Sequence, residues 1–210
     1  MNGALNGFNW LARHYDALTK LVFGQAIYDS QVEFLAEVPP GSVILIIGGG
    51  TGGILSVLGK MNPSASILYV EASSEMLRLA ERNVSPEYRT RIEFVHGTES
   101  SIPEGMVFDV IITNFFLDLF TDSEVQRICQ DLSTKLRPQG RWLASDFVRG
   151  GKWWHGFMLW TMYRFFRFTC SIKASRLPSW EGHLKTGMAE KVSRSFCHGF
   201  IKSGLYVKDA

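Results

Sequence analysis

Cysteine is scarce in this chain of 210 residues, and neither sign of charge prevails. The three cysteines, Cys129, Cys170 and Cys197, lie far apart, which argues against a disulfide framework and against a paired-cysteine metal site. The 22 basic and 20 acidic residues leave a formal net charge of +2, which offers no electrostatic case for a nucleic-acid partner. We therefore expect a cytoplasmic protein that binds no nucleic acid.

Targeting and metal-binding signals are also missing. The start of the chain, residues 1–10, has no basic stretch followed by an apolar one, so we expect no signal peptide. His183 and His198 lack metal-ligand spacing with any cysteine or acid, so we predict no metal.

Residues 153–172 are crowded with aromatic side chains and are long enough to cross a bilayer. Lys152, His155, Arg164 and Arg167 lie within or beside this segment, and such groups are costly inside a membrane. We expect no membrane span and favour a helix that packs over the edge of a sheet. A weak peripheral contact with a membrane surface stays open.

What the chain does contain is an apolar run that ends in glycines. Residues 43–47 are all β-branched or leucine, which is typical of a parallel strand buried on both faces. Gly48, Gly50 and Gly52 follow, and glycine allows positive φ and the close approach of a ligand. A predicted helix over residues 54–61 places free N–H groups beside this turn, where they suit a carboxylate, phosphate or ribose oxygen.

A second apolar run, residues 66–71, ends in an acid, Glu71. An acid about 20 residues beyond the glycine turn is placed to accept hydrogen bonds from both hydroxyls of a ribose. Turn and acid together predict a ligand that carries a nucleoside. The alternative for the turn alone is a flexible loop between buried elements.

The order of predicted elements favours an α/β fold with a parallel sheet and right-handed crossovers. Ser73 and Ser74 offer caps for a helix to residue 83, residues 97–105 form a polar loop, and residues 138–140 end a helix over 124–136. Further strands are predicted at 91–96, 107–113 and 141–146. We expect a single domain, 1–210, with a helical leader or lid (1–40), a cofactor-binding core (41–150), an aromatic helical cap (151–188) and a closing hairpin (189–207).

Several of these features resemble class I S-adenosylmethionine-dependent methyltransferases. They are the glycine turn with Glu71, the segments 108–114 and 136–140, and the hairpin; the leader segment 14–18 is similar to that of small-molecule, quinone-biosynthesis-like members. The resemblance implies a Rossmann-like sheet of seven strands, mostly parallel, with an antiparallel C-terminal strand beside the fifth and helices on both faces. It implies S-adenosyl-L-methionine as cofactor and S-adenosyl-L-homocysteine as product.

Carried over by position, the resemblance implies a set of cofactor-binding residues. The glycines would surround the methionine and ribose portions, Ala72 and Met76 would lie near the adenine or simply pack, and Asn114 and Phe115 would face the methionine moiety. Thr98 stands where the family has an acid, with Glu99 next to it, and Ile46 replaces another common acid. The full set is Tyr15, Gly48, Gly49, Gly50, Gly52, Glu71, Ala72, Met76, Thr98, Glu99, Asn114 and Phe115.

Methyl transfer is an in-line displacement, so a general base is needed only when the acceptor must lose a proton. Candidate catalytic residues are Tyr15 on the leader, Asp118 and Asp146 beyond the fourth and fifth strands, and His155 on the aromatic segment. Each has a structural alternative, such as packing or helix capping.

We predict methyl transfer to a small, apolar or aromatic acceptor, because aromatic side chains crowd residues 153–168. Two other functions stay open: a non-catalytic protein that binds S-adenosylmethionine or acts as a scaffold, and a nicotinamide-dependent oxidoreductase. Pairing into a homodimer is also left open.

Overall fold

One sheet organises residues 22–150, 155, 156, 158, 159, 164 and 176–209, which are the residues that the computed structural model describes. In this part of the chain the sheet has seven strands in the order β3-β2-β1-β4-β5-β7-β6. The strands are β1 (Val43–Ile47), β2 (Ser66–Glu71), β3 (Ile92–His96), β4 (Phe108–Asn114), β5 (Leu136–Phe147), β6 (Met188–Phe196) and β7 (Ile201–Lys208).

Short helices connect and cover these strands. The described α-helices are α1 (Ala26–Val32), α2 (Leu55–Met61), α3 (Ser74–Asn83), α4 (Pro86–Arg89), α5 (Asp122–Lys135) and α6 (Trp180–Lys185). Single 3₁₀ turns occur at Leu35–Glu37, Glu99–Ser101, Leu117–Leu119 and Cys197–Gly199. Among the described residues, no helix combines the length and the apolar character needed to cross a membrane.

Strand β1 lies at the centre of the parallel part of the sheet, paired with β2 on one side and β4 on the other. Its residues 44–47 are buried, and they belong alternately to two apolar cores, one on each face of the sheet. This burial on both faces explains the unbroken apolar run. Because β1 leads to β2 on one side while β4 flanks the other, a crevice forms at its carboxyl end, where open α/β sheets bind ligands.

The C-terminal hairpin closes the sheet as expected. Strand β7 runs antiparallel to β5, with Ser145 opposite Ser203, and β6 pairs antiparallel with β7 at the edge. The predicted fold class, a mostly parallel Rossmann-like sheet with an antiparallel C-terminal strand beside the fifth, is confirmed. The hairpin covers residues 188–208, one residue more at each end than the predicted 189–207, and β6 begins directly after Gly187, whose φ is +90°.

The leader, predicted to be helical over residues 1–40, is helical only in parts of its described residues. Within its described part, the chain turns at Gly24, which has a φ of +60°, and α1 covers only Ala26–Val32. Helix α1 is fastened to the sheet because the Ser145 hydroxyl donates to the Ser30 carbonyl at 2.7 Å. Residues 1–21, including Tyr15, lie outside the described residues.

Two connections also differ from their predictions. Strand β5 begins at Leu136, before the predicted start at residue 141, because Leu136 pairs with Phe108 across an irregularity in β4. The loop expected at 97–105 contains a 3₁₀ turn, Glu99–Ser101, with Thr98 as its capping residue.

Candidate functional site

The carboxyl ends of β1, β2 and β4 bring the predicted cofactor residues to one edge of the sheet. Ile47 is paired with Val70 of β2 and with Thr113 of β4. The residues that follow these three positions are Gly48, Glu71 and Asn114, which therefore meet at the crevice beyond β1.

Three glycines of the turn adopt positive φ, and the space around each of them differs. At Gly48, with a φ of +66°, a Cβ atom would lie 2.4 Å from the Phe116 ring. At Gly52, with a φ of +79°, a Cβ would lie 2.9 Å from that of Ala80 in α3. Gly50, with a φ of +63°, has no atom within 4 Å of the same position. The turn is thus packed against protein at both ends and open at Gly50, as a ligand cradle requires.

Glu71 lies in the floor of this cradle and is 8% exposed. Its Oε2 accepts from the Gly50 N–H at 2.9 Å, and its Oε1 accepts from the Ser73 N–H at 2.8 Å. Burial raises the pKa of Glu71, and these N–H donors oppose the rise. A carboxylate has about four acceptor positions, and the N–H groups of Gly50, Ser73 and Ala72 leave part of this capacity for the hydroxyls of a ligand. Two adjacent hydroxyls of a ribose match this arrangement.

Ala72 and Met76 lie at the start of α3, next to Glu71. The Ser73 side chain caps this helix by accepting from the Met76 N–H at 3.3 Å, as predicted for an N-cap. The Ala72 carbonyl is 3.0 Å from the His96 Nε2 of β3, and the Met76 side chain is buried. Ala72 and Met76 therefore have contacts within the protein, and both lie beside the predicted ribose site.

Glu99 turns its carboxylate toward α5, where it forms an ion pair of 2.7 Å with Arg127. The Thr98 side chain accepts from the Ser101 N–H, and the Thr98 N–H donates to the Ser101 hydroxyl at 3.3 Å, so both contacts stay within the 3₁₀ turn. A part for Glu99 beside an adenine stays a prediction, and it would require this ion pair to open.

Phe115, directly after β4, has a left-handed backbone with a φ of +51°. This conformation is strained for a bulky residue and persists only where the surroundings hold it. Its N–H donates to the Ser145 carbonyl at 2.7 Å, and its ring centroid lies 4.9 Å from that of Phe147. With this backbone conformation the Phe115 ring lies in the aromatic cluster described next. Asn114, the residue before it, ends β4 beside the glycine turn.

An aromatic cluster, defined by Phe23, Phe115, Phe147 and Phe200, occupies the same edge of the sheet beyond β5 and β7. The Phe147 centroid lies 5.4 Å from that of Phe23 and 5.1 Å from that of Phe200. His155 is 2% exposed, with its ring centroid 5.0 Å from that of Phe200. Met158 and Leu159 pack on the same cluster. Three described residues of the aromatic segment, His155, Met158 and Leu159, thus lie at this edge. Residues 151–154, 157, 160–163 and 165–175 lie outside the described part.

Asp146 is buried at the end of β5 and holds the loop after β4. Its Oδ2 accepts from the N–H groups of Leu117 and Asp118 at 2.9 and 3.2 Å, and its Oδ1 accepts from the Phe147 N–H at 2.8 Å. Asp118 is hydrogen-bonded to Asp146, and burial raises the pKa of both carboxyls. The pair can hold a proton. The oxygens of Asp146, however, already accept from backbone N–H groups and are less available to a substrate.

The structure therefore brings the four glycines, Glu71, Ala72, Met76, Asn114 and Phe115 together at one crevice, and it pairs Asp118 with Asp146. Three residues that sequence reasoning missed also shape the site: Tyr69, whose hydroxyl binds the glycine turn, Ser73 and Phe116. Tyr69 carried a signal, since it is a phenol inside an otherwise aliphatic run.

Fold and cradle together define a Rossmann-like methyltransferase architecture, and comparison with known proteins agrees. Residues 44–140 match the family described as "Methyltransferase domain". A malonyl-[acyl-carrier protein] O-methyltransferase of Priestia megaterium is 30% identical over 146 residues, 68% of this chain and 50% of that protein. A demethylmenaquinone methyltransferase of Thermotoga maritima is 29% identical over 149 residues, 69% of this chain and 62% of that protein.

Among solved structures, CalO1, a methyltransferase in calicheamicin biosynthesis in its SAH-bound form, superposes with a TM-score of 0.65. It is 17% identical, and the match covers 93% of this chain and 56% of that one. At such identity the likeness shows the fold alone. The chain belongs to the class I S-adenosylmethionine-dependent methyltransferases, and it spans about half the length of the first of the two relatives named above.

The cofactor of this family is S-adenosyl-L-methionine, and the residues present fit it. Around the position that a Cβ of Gly50 would take, the turn leaves open space. The Glu71 carboxylate, at the end of β2 beside this turn, retains acceptor capacity for the hydroxyls of a ribose.

Proposed function

We propose that this chain transfers a methyl group from S-adenosyl-L-methionine to a small apolar or aromatic acceptor. The observation that carries the proposal is the adjacency of two surfaces at one sheet edge. One is the glycine turn with Glu71, and the other is the aromatic cluster, with Phe115 connecting them after β4.

The cofactor half of the proposal rests on polar groups. Glu71 would bind both ribose hydroxyls, and the open Gly50 would let the cofactor contact bare backbone. When bound, S-adenosylmethionine supplies an electrophilic methyl on a sulfonium. The chain's own contribution is to hold that methyl and the acceptor in line, which can supply most of the acceleration.

The acceptor half rests on the aromatic cluster. Aromatic rings offer a flat apolar surface that suits a ring or a hydrocarbon chain. His155 is buried against Phe200 and is our candidate for a proton acceptor near the substrate. Tyr15, on the leader outside the described residues, is our candidate for contact with the methionine carboxylate.

Asp146 and Asp118 fit a structural part better than a catalytic one. Three backbone N–H groups already occupy Asp146, and both side chains are buried. We infer that the pair fixes the loop 115–119, which carries Phe115 and Phe116, and does not contact the acceptor.

The first test is calorimetric titration with S-adenosylmethionine and S-adenosylhomocysteine. Glu71→Ala should weaken binding by about 1–3 kcal/mol, as expected for the loss of a charged hydrogen-bond partner. Glu93→Ala, an exposed acid on the neighbouring strand β3, is the matched control and should bind as the wild type does. If the Glu71→Ala variant bound both ligands as tightly as the wild type does, the assignment of Glu71 to the cofactor site would be wrong.

The second test addresses the acceptor. Radiolabelled methyl transfer would be measured against a panel of phenols, catechols and quinols, with aliphatic acids as the comparison class. Phe23→Ala should raise the KM of an aromatic acceptor several-fold, whereas Tyr28→Ala, an exposed aromatic on α1, should leave it unchanged. Tight cofactor binding without transfer to any acceptor would favour the non-catalytic alternative.

A further inference from the structure

Strand β2 holds both polar groups of the Gly50 residue. The Gly50 N–H donates to Glu71 Oε2 at 2.9 Å, and the Gly50 carbonyl accepts from the Tyr69 hydroxyl at 3.0 Å. Tyr69 and Glu71 lie two positions apart on one strand, so their side chains leave the same face of the sheet. A single strand therefore holds the turn at the point where it is open to a ligand.

The Tyr69 ring has little freedom to move its hydroxyl elsewhere. The residue is fully buried, and its ring centroid lies 5.3 Å from that of Phe94. On the other side, a Cβ atom at Gly49 would come within 2.4 Å of the Tyr69 hydroxyl and ring. The absence of a side chain at Gly49 is what allows the phenol to reach the Gly50 carbonyl.

Strand β1 offers no polar side chain for this purpose. Its residue paired with Tyr69 is Ile46, which is apolar and 1% exposed. The side-chain contact that reaches the turn from within the sheet at this level therefore comes from β2.

We propose that Tyr69 is a positioning residue for the cofactor site, acting through the Gly50 peptide without touching the ligand. This inference rests on the proposed function, because it assigns a purpose to the turn at the same site. The hydroxyl holds the carbonyl of the Gly50–Thr51 peptide, and Glu71 holds the N–H of the Gly49–Gly50 peptide. The two contacts together restrict rotation of the backbone at Gly50, which as a glycine is intrinsically free to rotate. Without the hydroxyl the Gly50–Thr51 peptide can rotate, and the turn beside Glu71 is held on one side only.

The test compares Tyr69→Phe with Tyr206→Phe. Tyr206 is an equally buried tyrosine on β7, and its hydroxyl has no hydrogen-bond partner among the described residues. Hydrogen exchange of residues 48–53 would be measured in the free protein, together with the Kd of S-adenosylhomocysteine and the thermal midpoint. Tyr69→Phe should speed exchange in the turn about three- to tenfold and raise the Kd about fivefold, as for one lost hydrogen bond. Tyr206→Phe should leave both within about twofold.

Gly49→Ala provides a second variant that keeps the hydroxyl but displaces the ring from the Gly50 carbonyl. It should produce the same faster exchange and weaker binding. A fall in thermal midpoint with unchanged exchange and unchanged Kd in Tyr69→Phe would overturn the inference, because it would leave Tyr69 as a core residue only. If the wild type bound no S-adenosylhomocysteine, the proposed function would fail, and the exchange comparison would still decide the part of Tyr69.

Discussion

Asp118 and Asp146 form a hydrogen-bonded carboxyl pair inside the protein, where the ends of β4 and β5 meet. Asp118 is 6% exposed and Asp146 is 1% exposed. Two negative charges in such a setting repel strongly, and burial raises the pKa of Asp118 to about 7. Burial and the neighbouring Asp118 charge raise the pKa of Asp146 as well, so the two carboxyls hold one proton between them.

This pair makes stability depend on pH. Between the ordinary aspartate pKa of 3.8 and about 7, the native state binds more protons than the unfolded state, so the free energy of unfolding should fall as pH rises. Asp118→Asn keeps a hydrogen-bond donor toward Asp146 but cannot titrate. It should flatten this slope, leaving the variant more stable than the wild type near pH 8 by on the order of 1–3 kcal/mol.

Urea unfolding from pH 4 to 8 measures the slope. Asp29→Asn, which alters an exposed aspartate on α1, serves as the control and should keep the wild-type slope. A slope that survives in Asp118→Asn would show that the proton is held elsewhere.

The glycine turn allows a graded series of substitutions. Gly48→Ala combines a positive φ with a contact of 2.4 Å to Phe116, so it should destabilise the protein most, by about 2–4 kcal/mol. Gly50→Ala has the positive φ but free space, so it should cost only about 1 kcal/mol of stability. Gly53→Ala has neither feature and should be nearly neutral.

Thermal melts in the presence and absence of S-adenosylhomocysteine separate stability from binding in this series. The Cβ at position 50 points into the space where the ligand would lie, so Gly50→Ala should lose most of the shift in melting temperature that the ligand produces. A full ligand-induced shift in Gly50→Ala would mean that the open side of the turn is not the binding surface.

Glu190 on β6 accepts a network of hydrogen bonds whose contribution to stability should depend on pH. Lys185 lies 2.7 Å away, and Ser193 and Lys202 also bind this carboxylate, which lowers the pKa of Glu190 to about 2. A lowered pKa stabilises the native state above the ordinary value of 4.5, and this contribution is lost as pH falls toward about 2. Glu190→Gln should therefore cost on the order of 1–3 kcal/mol at pH 7.

The difference between Glu190→Gln and the wild type should shrink steadily below about pH 4.5, which chemical unfolding at pH 7, 4 and 3 can follow. Glu93→Gln, on the opposite edge strand, should show little difference at any pH. A difference for Glu190→Gln that did not change with pH would point to packing rather than charge.

Cys129 should resist thiol reagents in the native state. It is buried on α5, and burial raises the pKa of its thiol to about 12. Because the thiolate is the reactive form, alkylation at pH 8 should be at least about 100-fold slower than for an unhindered cysteine. Peptide mapping after iodoacetamide treatment should show Cys197, which is partly exposed, modified before Cys129. The reverse order would indicate local opening of α5.

Much of the fold could be read from local patterns. The apolar run 43–47, the Ser73 cap and the closing hairpin appear where predicted, because burial on two faces, helix capping and strand alternation leave short-range signatures. The start of β5 was predicted five residues too late, since Leu136 becomes part of a strand only through its pairing with Phe108.

The candidate site divides in the same way. Spacing alone placed Glu71 beside the glycine turn, because the carboxyl ends of neighbouring parallel strands lie at one edge. The Arg127 partner of Glu99 lies on a helix 28 positions along the chain, and no local signal revealed it. The pairing of Asp118 with Asp146 was likewise hidden, although each had been singled out by itself.

The sequence by itself determined the class of fold, and it predicted the edge of the sheet that carries the candidate site and a ligand that carries a nucleoside, because these depend on the order and spacing of residues near one another in the chain. Only the tertiary structure decided which polar atoms are already occupied. Asp146 and Glu71 both accept hydrogen bonds from backbone N–H groups, and the Tyr69 hydroxyl donates to the Gly50 carbonyl. Such occupancy is a matter of distances of about 3 Å between strands, and residue spacing along a chain does not encode it.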